Sequence, residues 1–257
     1  MQFIILAGVG LVMGIATVIT GGGAGAIYVS VLTIFFNISP AVATATSLAT
    51  MFPTAAVSTY LHARLSNVNF KIGWTMLCWG TLGALVGSYF SKDIPDAHYN
   101  TLIGLVIIVL TVLMIIKKRK PADPDSQAQT SKRKKFLQAS FFGIISGLLS
   151  GLVGTSGTTA IIAGLTLLGC TTMQTVGTSV FVLAGISLVG FLMRAGVGTV
   201  DWPLAGVLAG SAIVGAVVGT LLLKKSVAHQ PTSSNNSLID AVIILGNLAM
   251  GIALLFK

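Results

Sequence analysis

Apolar positions along this chain run in long unbroken blocks instead of alternating, and short polar or glycine-rich intervals separate the blocks. They fall at about 3–20, 26–36, 41–62, 72–91, 97–117, 137–152, 158–168, 173–194, 203–223 and 238–256. A membrane-spanning helix needs about 20 apolar residues, so 41–62, 72–91, 97–117, 173–194, 203–223 and 238–256 predict full crossings. The other four are short and paired. Thr20-Gly21-Gly22-Gly23-Ala24-Gly25 joins the first pair, and Gly151-Leu152-Val153-Gly154-Thr155-Ser156-Gly157 joins the second.

The pattern repeats at a fixed offset, the signature of a duplicated unit. Shifted by 132 residues, Gly22 falls on Gly154, Gly25 on Gly157, Thr46 on Thr178, Ser47 on Ser179, and Gly83-Ala84-Leu85-Val86-Gly87 on Gly215-Ala216-Val217-Val218-Gly219. After a length change, Asn100-Thr101-Leu102-Ile103 resumes against Asn236-Ser237-Leu238-Ile239. The expected fold class is an all-α integral membrane protein of two tandem four-element repeats, each with a glycine-broken first element. The expected parts are residues 1–117, a linker at 118–135, and residues 136–257.

Length settles how the broken element is read. As one helix, residues 3–36 would reach roughly 50 Å across a hydrocarbon core of about 30 Å. A re-entrant hairpin reaching the midplane fits better. Each half then crosses three times, and an odd number of crossings inverts the second half relative to the first. Charge counting does not separate parallel from inverted halves, so this expectation rests on length alone.

Composition agrees with the blocks. Of the 257 residues 54% are hydrophobic and 8% charged, against about 25% charged in soluble domains, and the mean hydropathy is +0.94. The net charge of +9 does not point to nucleic acid, because more than half of the basic residues lie in Lys117-Lys118-Arg119-Lys120 and Lys132-Arg133-Lys134-Lys135. That excess between apolar blocks marks a cytoplasmic loop. Cys78 and Cys170 form no CxxC pair, so neither a disulfide framework nor a structural zinc site is indicated. Met1-Gln2-Phe3 lacks a basic leader region, and no removable signal peptide is expected.

Candidate chemistry gathers at the breaks. Backbone polar groups in hydrocarbon need partners, so a helix is interrupted only where protein or a polar cavity covers the gap. Arms starting near Gly25 and Gly157 would present helix amino termini, with unpaired N–H donors and partial positive charge suited to an anion. Broken helices meeting near the midplane are a common transporter construction. Expected substrate-binding residues are therefore Gly23, Gly25, Thr155, Ser156 and Gly157, with hydroxyls from Thr46, Ser47, Thr178 and Ser179. The competing reading of the hydroxyls is back-bonding within their own helices. For Gly83xxxGly87 and Gly215xxxGly219 it is close helix packing, within or between chains. Pro53 removes a backbone hydrogen bond inside its block, where a kink is expected. Arg194, in register with His62, could be a counter-charge at a cavity mouth; snorkelling of both to the interface is the plainer expectation. Asp93, Asp96, Asp123, Asp125 and Asp201 fall in expected loops, and Asp240 near a block end, which leaves a buried carboxylate relay without support.

A four-helix unit present twice, a glycine-rich break, a Thr-Ser helix start and a basic central loop resemble the sulfite exporter TauE/SafE family of membrane transporters, over nearly the whole chain. The resemblance implies movement of small sulfur-containing or organic anions, such as sulfite or sulfonates, across the cell membrane. The chain itself reads as a multi-pass protein with no cofactor or metal, and its expected partners are the substrate anion, the bilayer and, where the GxxxG faces pack between chains, a second copy, with no nucleic acid. Related thiosulfate importers use cysteines along the path, but Cys78 and Cys170 do not align under the repeat. Gly154-Thr155-Ser156-Gly157 matches the GxSG sequence of intramembrane serine proteases. No histidine follows within a span to serve as general base, and HExxH and a P-loop are absent, so no enzyme is expected. A passive anion channel and an accessory membrane protein remain the alternatives to alternating access.

Overall fold

A computed structural model describes residues 2–22, 24–91, 132–154, 157–195 and 200–229, with isolated positions 98, 101, 105, 108, 109, 112 and 252. The expected blocks at 97–117 and 238–256, and most of the basic linker, lie outside the described residues. The described residues form eight helices and no strand: α1 (Gln2–Thr20), α2 (Gly25–Phe35), α3 (Pro40–Arg64), α4 (Phe70–Phe90), α5 (Lys132–Val153), α6 (Thr158–Leu167), α7 (Thr172–Ala195) and α8 (Trp202–His229).

Local chemistry sets the boundaries. Gly21 and Gly154 stop α1 and α5 at φ +68° and +67°, the left-handed conformation that glycine adopts without a Cβ penalty. Their N–H groups close the last turns on Thr17 O (3.0 Å) and Ser150 O (2.9 Å). Pro40 opens α3 where its missing N–H costs nothing. Thr171 and Gln174 form a capping box at α7, each side chain accepting the other's backbone N–H at 3.3 Å. Asn69 and Asp201 cap α4 and α8 by accepting from Ile72 N (3.3 Å) and Leu204 N (3.1 Å).

Two block expectations change. The block at 137–152 lengthens into α5, because the basic run from Lys132 is already helical and carries the helix beyond its apolar part. By length and composition α1, α3, α5, α7 and α8 can each cross a membrane, so among the described helices only α2 (11 residues) and α6 (10 residues) are short. The 21-residue α4 is as long as a span.

Small residues hold the helices together. Beside α4, Gly143 lies against Met76, Gly147 against Gly80 and Gly151 against Ala84, so α4 and α5 run parallel at backbone contact. Beside α1, Leu208 and Ser211 meet Gly10, Ala212 meets Gly14, and Gly219 meets Ile15, so α1 and α8 are also parallel. A Cβ on Gly83 would lie 2.3 Å from Ile144 O, and one on Gly215 2.1 Å from Leu11 O. Both GxxxG segments therefore serve packing inside the chain, the usual role of small residues where lipid offers no hydrophobic drive. The centre is α3 against α7: 61% of each of these spans is buried, against 33–44% for α1, α5 and α8. Large apolar side chains such as Ile4, Trp74, Leu82, Val214 and Leu221 point outward, as a lipid-facing surface requires.

Candidate functional site

Both breaks lie inside the molecule. Gly21, Ala24, Gly25, Gly154 and Gly157 are buried. Ser179 Oγ, two turns into α7, donates to Gly21 O at the first break. Ser47 Oγ, two turns into α3, lies within reach of two carbonyl acceptors, Gly25 O (3.3 Å) and Gly154 O (3.4 Å). Thr44 Oγ1 donates to Val153 O at 3.4 Å. Each interrupted backbone is thus met by a hydroxyl from the central helix of the other half, which supplies the partners that hydrocarbon cannot.

The threonines beside those serines have a different partner. Thr178 Oγ1 accepts the N–H of Asn69 at 2.8 Å, and Thr46 Oγ1 accepts the N–H of Asp201 at 3.1 Å. These contacts also fix direction. The start of α7 lies beside the loop that follows α3, and the start of α3 lies beside the loop that follows α7, so the two central helices run antiparallel.

The structure therefore brings Gly25, Thr46, Ser47, Thr178 and Ser179 into the buried seam between α3, α7 and the breaks, while Gly157 is buried against Ser146 of α5. Gly23, Thr155 and Ser156 lie outside the described residues. Gly157, at φ +53°, caps α6, and a Cβ there would fall 2.3 Å from Ser146 O. Back-bonding accounts for other hydroxyls of α3: Thr50, Thr54 and Ser58 each donate to the carbonyl four residues earlier, at 2.8–2.9 Å.

Arg194 and His62 do not snorkel. They are 7% and 1% exposed. Arg194 Nη2 donates to Gly151 O at 2.9 Å and to Ser91 Oγ at 2.7 Å. His62 Nε2 lies 3.0 Å from Val18 O, to which it donates in the Nε2–H tautomer. Both side chains reach inward because the last carbonyls of α5 and α1 have no helical acceptor role left, and donors there also suit the negative end of a helix.

Sequence reasoning missed Tyr28. Its side chain is 1% exposed in the first turns of α2, and its hydroxyl has no hydrogen-bond partner among the described residues. It lines a cavity of about 10 Å³ together with Thr17, Ala24, Met51, Thr54, Ala55 and Leu183, a space for one water. The available signal was its register: Tyr28 falls on Ala160, so the duplication gives it no counterpart.

Spans of this length and apolarity, packed on glycine around buried helix breaks, define a multi-pass membrane protein. The sulfite exporter TauE/SafE family model matches residues 6–253, and the chain belongs to that family of membrane transporters. It is 31% identical over 178 residues to the probable membrane transporter protein YdhB of Bacillus subtilis, covering 67% of this chain and 69% of that one. It is 26% identical over 189 residues to the probable membrane transporter protein YunE of the same organism, covering 65% and 68%. A third relative, the probable membrane transporter protein MJ0441 of Methanocaldococcus jannaschii, is 32% identical over 184 residues, covering 68% and 65%. No solved structure matches the chain.

Proposed function

We propose that this protein is a secondary transporter of a small sulfur-containing or organic oxyanion, sulfite or a sulfonate, working by alternating access between two inverted halves. The halves are residues 1–117 and 136–257, joined by a basic linker at 118–135 on the cytoplasmic side. The observation that carries the reading is the reciprocal bracing of two buried breaks, with Ser179 on Gly21 and Ser47 on Gly154. Antiparallel α3 and α7 support inversion. So does the direction of α2: it starts beside Ser47 and ends at the turn into Pro40, which returns the chain to the side from which α3 sets out, as a re-entrant arm does.

The anion's charge would be met by the unpaired N–H groups opening α2 and α6. Among the hydroxyls, those of Ser47 and Ser179 face break carbonyls, whereas Thr46 and Thr178 use only their oxygens in the hydrogen bonds described above. Their protons can therefore point at a ligand. Gly23, Thr155 and Ser156 complete the proposed site.

The test is counterflow in proteoliposomes containing the purified protein. Labelled sulfite or a labelled sulfonate should exchange saturably against the unlabelled anion. Conductance far above the rate of a conformational cycle would mean a passive channel, and absence of flux for every anion would overturn the reading in favour of an accessory role.

A further inference from the structure

We infer that the Tyr28 hydroxyl is a binding donor to the transported oxyanion, without a partner among the described residues in this conformation; this rests on the proposed transport function. A buried hydroxyl without a partner is costly, and Tyr28 O–H is one. Its surroundings say what would complete it. The cavity that Tyr28 lines draws on α1, α2 and α3, with Leu183 from α7, so it sits on the line where α3 and α7 would part. Every residue lining it is neutral. Thr17 and Thr54 donate their protons to Met13 O (2.8 Å) and Thr50 O (2.9 Å), so among the lining residues the Tyr28 phenol is the hydroxyl whose proton is not committed to a described acceptor.

The charge at this place is the positive end of a helix. Tyr28 N–H bonds Ala24 O at 2.9 Å, which closes the first turn of α2. The N–H groups before it on the same turn have no helical acceptor. A cation would find no carboxylate there, whereas an anion would find a dipole and a phenol O–H together. At about 10 Å³ the space is too small for sulfite in this conformation, so the contact forms as the seam opens. Because Ala160 occupies the matching position, the donor serves one half only. The two halves would then hold the anion unequally.

The test is Tyr28→Phe, which removes one oxygen and keeps the ring. In sulfite counterflow the half-saturation concentration should rise about tenfold or more, the loss expected for a hydrogen bond to a charged group. Thermal stability in detergent should change little, because the ring and its packing are kept. Unchanged half-saturation would overturn the inference. A lowered melting temperature would overturn it too, since it would mean the hydroxyl is held by a structural partner such as a water. Failure of the transport reading itself shows earlier, as wild-type vesicles that exchange no anion.

Discussion

Thr178 accepts the backbone N–H of Asn69 across 2.8 Å, and 132 residues away on both sides Thr46 accepts that of Asp201 across 3.1 Å. Both acceptors sit near the start of a central helix, and both donors cap the helix that follows the other central helix. An interhelical hydrogen bond in a membrane is worth about 0.6 kcal/mol on average, too little to hold two halves together. Its value is geometric, since it fixes where α4 and α8 begin relative to the breaks.

Replacing these threonines should therefore separate shape from oxygen. Thr178→Val and Thr46→Val keep the volume but strand a partly buried N–H, and each should cost about 1–3 kcal/mol, read as a lowered melting temperature in detergent. Thr178→Ser and Thr46→Ser keep the acceptor and should stay close to wild type. Equal loss in the serine and valine variants would show that the methyl group matters and the bond does not.

The breaks should tolerate no Cβ. An alanine methyl would fall 2.7 Å from Ser179 Oγ at Gly21, 2.2 Å from Thr44 Cγ2 at Gly154, and 2.3 Å from Ser146 O at Gly157, with left-handed strain added at each. Gly21→Ala, Gly154→Ala and Gly157→Ala should insert into membranes yet lose anion exchange. Gly8→Ala, Gly206→Ala and Gly210→Ala meet nothing within 4 Å and should behave as wild type. Normal exchange in the first three would show that the break geometry is dispensable.

Cys170, in the turn between α6 and α7, should be a slow thiol. Burial pushes its titration up, and nearby Lys135 pulls it partly back. The thiolate is the reactive form, so a raised value means less of it at neutral pH. In a Cys78→Ala background, maleimide labelling should keep increasing with pH beyond the ordinary thiol range, and Lys135→Gln should slow it further. A plateau near pH 8 would contradict the assigned environment.

Much of this was legible in the chain. Apolar blocks gave the helices, and glycine runs marked where α1 and α5 stop, because those signals act over one or two turns. The extra length of α5 was not legible, because Lys132 to Lys135 read as linker by composition while the backbone there is already helical. The inward turn of Arg194 was hidden for a related reason. A cation near a span end snorkels unless helix-end carbonyls stand within reach, and the carbonyl of Gly151 is 43 residues away in sequence.

Hydropathy and glycine act locally, so the chain alone places this protein in a bilayer and marks where its helices break and which hydroxyls lie near the start of α3 and α7. How those hydroxyls are used depends on the way distant helices pack. Ser47 and Ser179 reach the opposite break, Thr46 and Thr178 take up the N–H groups of Asp201 and Asn69, and the Tyr28 hydroxyl has no partner among the described residues. Hydrogen bonding depends on which backbone groups come within about 3 Å, and that is settled by the packing of α3 against α7.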